Sequence, residues 1–100
     1  MSVSFSTTDA SAGAATMLRL GTCRKGWRGS IVGLAQAGDG GMAWPELERR
    51  LLEMGFVEGA AVEVLHEGPI HGDPIAVRLD DTTIAIRRRD ANAIIVVGKE

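Results

Sequence analysis

The hydrophobic pattern changes its period at Gly55, and this restricts the fold more than any other feature of the chain. Before Gly55, Trp44, Leu47, Leu51 and Met54 fall at i, i+3, i+7 and i+10. That spacing lines one face of a helix predicted over Met42 to Met54. Pro45 suits the first helical turn, where its missing N–H is not needed. Glu46 and Glu48 lie near the positive end of the helix dipole, and Gly55 is placed to end the helix in a left-handed conformation. After Gly55 the period is two: Val62 and Val64, then Ile75, Val77 and Leu79, then Ile84 and Ile86. Each run is a half-buried strand pattern.

The punctuation agrees with this reading. Asp80-Asp81 marks a tight hairpin, and Gly68-Pro69 with Gly72-Asp73-Pro74 brackets a longer loop. Upstream, Trp27 to Ala35 carries Ile31, Val32 and Leu34 and is predicted as a first strand. Leu18 to Lys25 reads as a lead-in that docks apolar side chains, and QAGDGG (36–41) reads as a connector. Asp90 to Ala93 is predicted as one helical turn capped by Asp90, and Ile94 to Val97 as a closing strand.

The expected class is therefore mainly β, with about five short antiparallel strands and one or two short helices. Strands this short bury a common core best by curling into a small barrel. The chain has 100 residues, four of them aromatic and none Tyr, so the core must come from Val, Ile, Leu and Ala. Residues 17–98 are expected to form the barrel. The Ser/Thr/Ala-rich residues 1–16 read as a disordered tail.

Charge narrows the function. The formal net charge is −2, whereas a nucleic-acid binder needs a positive excess to displace phosphate counterions, so no nucleic-acid partner is expected. The first sixteen residues lack a basic segment followed by an apolar run and do not read as a secretory signal. No stretch approaches the roughly 18 apolar residues of a membrane span, so no direct membrane insertion is expected. The single cysteine, Cys23, fits a reducing compartment. The chain is expected to be cytoplasmic.

Candidate chemistry is sparse. Gly21 to Gly26 has the spacing of a phosphate-binding loop, but Trp27-Arg28 follows instead of Lys-Ser/Thr, and the motif fails. His66, His71 and Asp73 are donors that Fe(II) accepts, but they lack a recognised ligand spacing. Their simpler reading is exposed polar residues at a strand end and a loop. Cys23 reads as a small core hydrophobe rather than a reactive thiol. No nucleophile pairs with a base, so no catalytic residue, cofactor or enzymatic activity is expected. With so few aromatic residues, a groove for proline-rich peptides is hard to build.

Taken in order, these landmarks resemble one family. Leu20-x-x-Cys23-x-x-Gly26-x-x-x-x-Ile31 resembles the opening of FeoA proteins, with Cys23 at a Leu position. Arg49 to Gly59 (RRLLEMGFVEG) resembles their central R-x-L-x-x-[LM]-G-[LF]-x-x-G. Val62-Glu63-Val64, Gly72-Asp73-Pro74-Ile75, Ile84-Ala85-Ile86-Arg87-Arg88 and Ala93-Ile94-Ile95-Val96 follow where that family has similar pieces. The chain departs from the pattern in a long Gly-rich loop over Gln36–Ala43 and a lengthened Pro69–Asp73 loop. The resemblance covers Leu20 to Val97 and implies an SH3-like barrel. It also implies an accessory role in bacterial ferrous iron uptake, acting on the cytoplasmic part of FeoB, a membrane GTPase-transporter. Its place would then be peripheral to the inner membrane through that partner. The alternative is an Fe(II)-binding sensor or chaperone using His66, His71 and Asp73. Similar domains end metal-dependent repressors, but this chain has no helix-turn-helix segment.

For a partner surface, the region after Gly55 and the basic run supply Phe56, Val57, Leu65, Arg87 and Arg88. Leu65 breaks the polar parity of Glu63 and Glu67, and Arg favours bidentate contacts with acidic groups. Gly26, Gly55, Gly59 and Gly72 are expected at positive-φ corners. Exposed strand edges leave pairing into homo-oligomers open.

Overall fold

Six antiparallel strands form one sheet in a computed structural model that describes residues 16–36 and 43–98. The elements are β1 (Met17–Arg19), a 3-10 turn (Leu20–Thr22), β2 (Arg28–Leu34), α1 (Trp44–Met54), β3 (Ala61–Gly68), β4 (Gly72–Leu79), β5 (Thr82–Ile86), α2 (Arg88–Ala91) and β6 (Ile94–Gly98). The order across the sheet is β1-β6-β2-β3-β4-β5. The expected tail, apart from Thr16, and most of the QAGDGG connector lie outside the described residues.

The mainly β class and the alternation hold. Val62 faces Leu79, Val64 faces Val77, Ile75 faces Ile86 and Ile31 faces Val96 across their ladders. All eight side chains belong to one buried cluster. Aliphatic cross-strand pairs of this kind stabilise a sheet and fix its register. A sixth strand joins the five expected, because part of the lead-in is β1, paired with β6 from Met17↔Val97 to Arg19↔Ile95. Three residues are too short to show a period, and tertiary pairing makes them a strand.

Three register shifts interrupt the ladders, one of them at Glu67/Gly68 beside the turn into β4, and the other two are single-residue bulges that bend the sheet. Val32 is the extra residue between Ile31↔Val96 and Gly33↔Ile95, and Leu65 is the extra residue between Val64↔Val77 and His66↔Ala76. Such bulges raise the local twist and let a short sheet curl. The second one also corrects the parity read from sequence. Beyond Leu65 the strand is offset by one residue, so Glu67 pairs opposite the buried Ile75 while Glu63 pairs opposite the exposed Arg78. Glu63 and Glu67 therefore do not share a face.

Helix α1 starts at Trp44 rather than Met42, with Pro45 in its first turn. Leu47 and Leu51 are buried, whereas Trp44 is half-buried and Met54 is 37% exposed, so the stripe is best covered at its centre. The Gly55 N–H donates to the Leu52 carbonyl at 3.0 Å, and the Phe56 N–H to the Leu51 carbonyl at 3.0 Å. This is the Schellman arrangement, which turns the residue after the glycine back toward the helix. Gly55 holds φ +105°, and a Cβ there would lie 3.2 Å from Leu79 Cδ2. Gly55→Val is expected to cost about 2 kcal/mol, from the left-handed backbone of a β-branched residue. Urea unfolding measures this, and an unchanged midpoint would count against it.

Helix α2 also differs from expectation. It begins at Arg88, with Arg87 as its N-cap, and Asp90 lies inside the first turn. Asp73, across the sheet on β4, accepts the Arg88 backbone N–H at 2.9 Å through Oδ1. A carboxylate beside a free N–H at a helix start is the usual capping chemistry, here supplied from outside the helix.

Candidate interaction surface

Arg88 organises the end of the barrel where β3, β4 and the 3-10 turn meet. Its Nε donates to the Gly72 carbonyl at 2.9 Å. Its Nη1 donates to the carbonyls of Gly21 at 3.0 Å and Cys23 at 2.8 Å. Its Nη2 donates to Glu67 Oε1 at 3.1 Å, and this side-chain pair is only 20% and 26% exposed. Glycines make room for the guanidinium. A Cβ on Gly72 (φ +75°) would lie 2.9 Å from Glu67 Oε1 and 3.2 Å from Arg88 Nη2, and one on Gly21 would collide with the Arg88 carbonyl and Asn92.

Glu67 completes the node. Its Oε2 accepts the Lys25 backbone N–H at 2.9 Å and lies 3.7 Å from Arg24 Nε. The Lys25 N–H holds the Glu67 carboxyl below the usual carboxylate range, helped by the charges of Arg24 and Arg88 and opposed by burial. The bulge at Leu65 turns Glu67 toward this node. With most of its donors directed at carbonyls and one carboxylate, Arg88 is held within the fold and has little left to offer in the contact role expected from the sequence.

The other candidates separate as clearly. Phe56 is 0% exposed and lies in the core, which removes it from any contact surface. Val57, its neighbour, is 44% exposed. Leu65 is half-buried on the bulge, and Arg87 is exposed at the end of β5. Gly26 and Gly59 hold φ of +93° and +91°. Sequence reading missed Leu52 (46% exposed) as a surface residue and took Met54 for part of the buried stripe. Leu52, Met54 and Val57 place three exposed apolar side chains at the C-terminal end of α1. A helical wheel finds Leu52 off the stripe, because it lies about 100° from Leu51. Along α1, Arg49 pairs with Glu46 at 2.7 Å and Glu53 at 3.1 Å, giving the helix a charged outer side.

His66, His71 and Asp73 are not gathered into a site. His66 is exposed on β3, His71 is exposed in the turn before β4 with φ 56°, and Asp73 is engaged by α2. Among the described residues, no three His, Cys, Asp or Glu side chains come close enough to hold a metal ion. Cys23 is 4% exposed, and burial pushes its thiol up against the opposing charge of Arg88.

Comparison with known proteins decides the family. The FeoA domain model matches residues 18–97. The chain belongs to the FeoA family. A solution structure of FeoA from Chlorobium tepidum is 30% identical, with a TM-score of 0.68 over 83% of this chain and 71% of that one. FeoA from Stenotrophomonas maltophilia, crystallised with zinc and described as an SH3 domain protein, is 27% identical, with a TM-score of 0.63 over 79% of this chain and 88% of that one. The fold is thus an SH3-like FeoA barrel. A Fe(2+) transport protein A/FeoB fusion protein of Porphyromonas gingivalis is 42% identical over 48 residues, covering 48% of this chain. This FeoA chain spans only 6% of that protein's length. Among the described residues no helix is long and apolar enough to cross a membrane.

Proposed function

We propose that this FeoA protein is a non-catalytic accessory module of ferrous iron uptake that binds the cytoplasmic part of a FeoB GTPase-transporter. The observation that carries this reading is the relative that joins both names in one polypeptide. Fusion gives two modules a high effective concentration, which favours partners that must act together. The single cysteine is buried and its pKa is raised, so it is not a reactive thiol. The protein would reach the membrane only through its partner.

The contact we favour lies at the C-terminal end of α1, where Leu52, Met54 and Val57 are each exposed and Glu46, Arg49 and Glu53 give the helix a charged side. Apolar anchors rimmed by charge are the usual make-up of a binding patch. The test is binding of the purified protein to detergent-solubilised FeoB from the same source, with GDP and with a non-hydrolysable GTP analogue. Saturable binding is expected. Leu52→Lys with Val57→Lys should weaken it at least about tenfold, with little change in stability because both residues are exposed. Failure to bind in every nucleotide state would overturn the reading.

A further inference from the structure

We propose that β5 pairs with β5 of a second copy of this chain, antiparallel about a twofold axis at Ile84, so that one sheet runs through two protomers. This is independent of the FeoB reading and rests on a different part of the surface.

β5 ends the strand order and, among the described residues, pairs only with β4. The register Leu79↔Thr82 closes a two-residue hairpin at Asp80-Asp81 and continues without a shift to Ile75↔Ile86. In such a hairpin the flanking pair exchanges its N–H and C=O groups, and the exchange repeats at every second residue. Thr82, Ile84 and Ile86 therefore bond back to β4, while Thr83 and Ala85 direct N–H and C=O outward. Among the described residues no strand takes up this outer edge. The edge also lacks the usual protection: Thr-Thr-Ile-Ala-Ile contains no charge, no proline and no bulge.

The flanks identify the occupant. Asp81 precedes the strand and Arg87 follows it, both are exposed, and neither belongs to an ion pair of the described residues. An antiparallel neighbour that matches an acidic start and a basic end is one with the same sequence. A twofold axis at Ile84 sets Asp81 against the partner's Arg87 and, by symmetry, Arg87 against the partner's Asp81. It sets Thr83 against Ala85, the two residues with outward backbone groups. Ile84, half-buried against the core, then meets its own twin at the closer, non-hydrogen-bonded position. With α2 starting at Arg88, this register keeps Asp81 through Arg87 paired along the whole length. The two-fold repeat makes the contact isologous and closed. So short an interface lies at the weak end of specific association, and the dimer is concentration-dependent.

Sedimentation equilibrium of the full chain across a wide concentration range tests this. The mass should rise from 10.6 kDa toward twice that value. Ala85→Pro deletes an outward N–H that the monomer does not use, so it should abolish association while the far-UV spectrum and melting curve stay native. Arg87→Glu sets like charges against each other and should weaken association about tenfold. Reversing both charges, Asp81→Arg with Arg87→Asp, should restore it to within about threefold of the original. A monomer at every concentration overturns the proposal. So does association that ignores Ala85→Pro and Arg87→Glu, or a doubly reversed variant as weak as the single one.

Discussion

Arg88→Ala is expected to lower the unfolding free energy by about 3 kcal/mol and the melting temperature by on the order of 15 °C. The guanidinium donates to three backbone carbonyls, those of Gly21, Cys23 and Gly72, in a part-buried place where little water can replace it. Each such bond contributes about 1 kcal/mol net, and leaving a buried acceptor unpaired costs at least as much. Arg88→Lys should recover only a fraction, because a point charge on a flexible stem cannot serve diverging acceptors. The acid response should change as well. Glu67 has a lowered folded-state pKa, so its contribution is present above its unfolded value and is lost as the pH falls through the folded one. Without Arg88 that folded value moves up, and the acid loss becomes smaller and ends at higher pH. Urea midpoints over a series of pH values measure both effects. Equal midpoints for the two proteins would show that the node contributes nothing net.

Arg88 also shows where sequence reading stops. Arg87, Arg88 and Arg89 are chemically identical neighbours. Which one turns inward depends on β5 ending at Ile86 and α2 starting at Arg88, a boundary that periodicity places only to within a residue or two. Its partner Glu67 was hidden for a related reason. A bulge at Leu65 reverses the parity of everything after it, and nothing in Val-Leu-His-Glu announces the extra residue. The α2 cap is concealed by distance, because Asp73 lies on another strand and is brought in by the ladder. What was legible is what short-range physics dictates. The helical stripe ended by Gly55, the alternation of three strands and the Asp80-Asp81 turn each depend on residues within one element. The ordered series of family motifs added the SH3-like type of the barrel and its relatives. The exposed residues of α1 were only half legible, since a stripe shows which side faces inward but not how far its ends are covered.

Phe56 and Val57 provide the sharpest contrast between fold and surface. Phe56→Ala is expected to cost about 4 kcal/mol, the usual range for emptying an aromatic site in a core. Val57→Ala should cost at most about 0.5 kcal/mol, as an exposed position does. The cause is the helix end. Gly55 in the left-handed conformation lets the Phe56 N–H reach the Leu51 carbonyl, and the same turn carries the Phe56 ring into the cluster that holds Leu51. Both side chains are 0% exposed, while Val57, one residue further, is 44% exposed. Phe56→Leu should recover most of the loss, because it restores volume without needing the ring. Urea unfolding of the three variants checks the ranking. A Phe56→Ala protein as stable as Val57→Ala would mean that the ring is not packed in the core and would return Phe56 to the candidate contact residues. If the ranking holds, reduced FeoB binding by a Phe56 variant reports lost fold. Reduced binding by a fully stable Val57 variant reports lost contact.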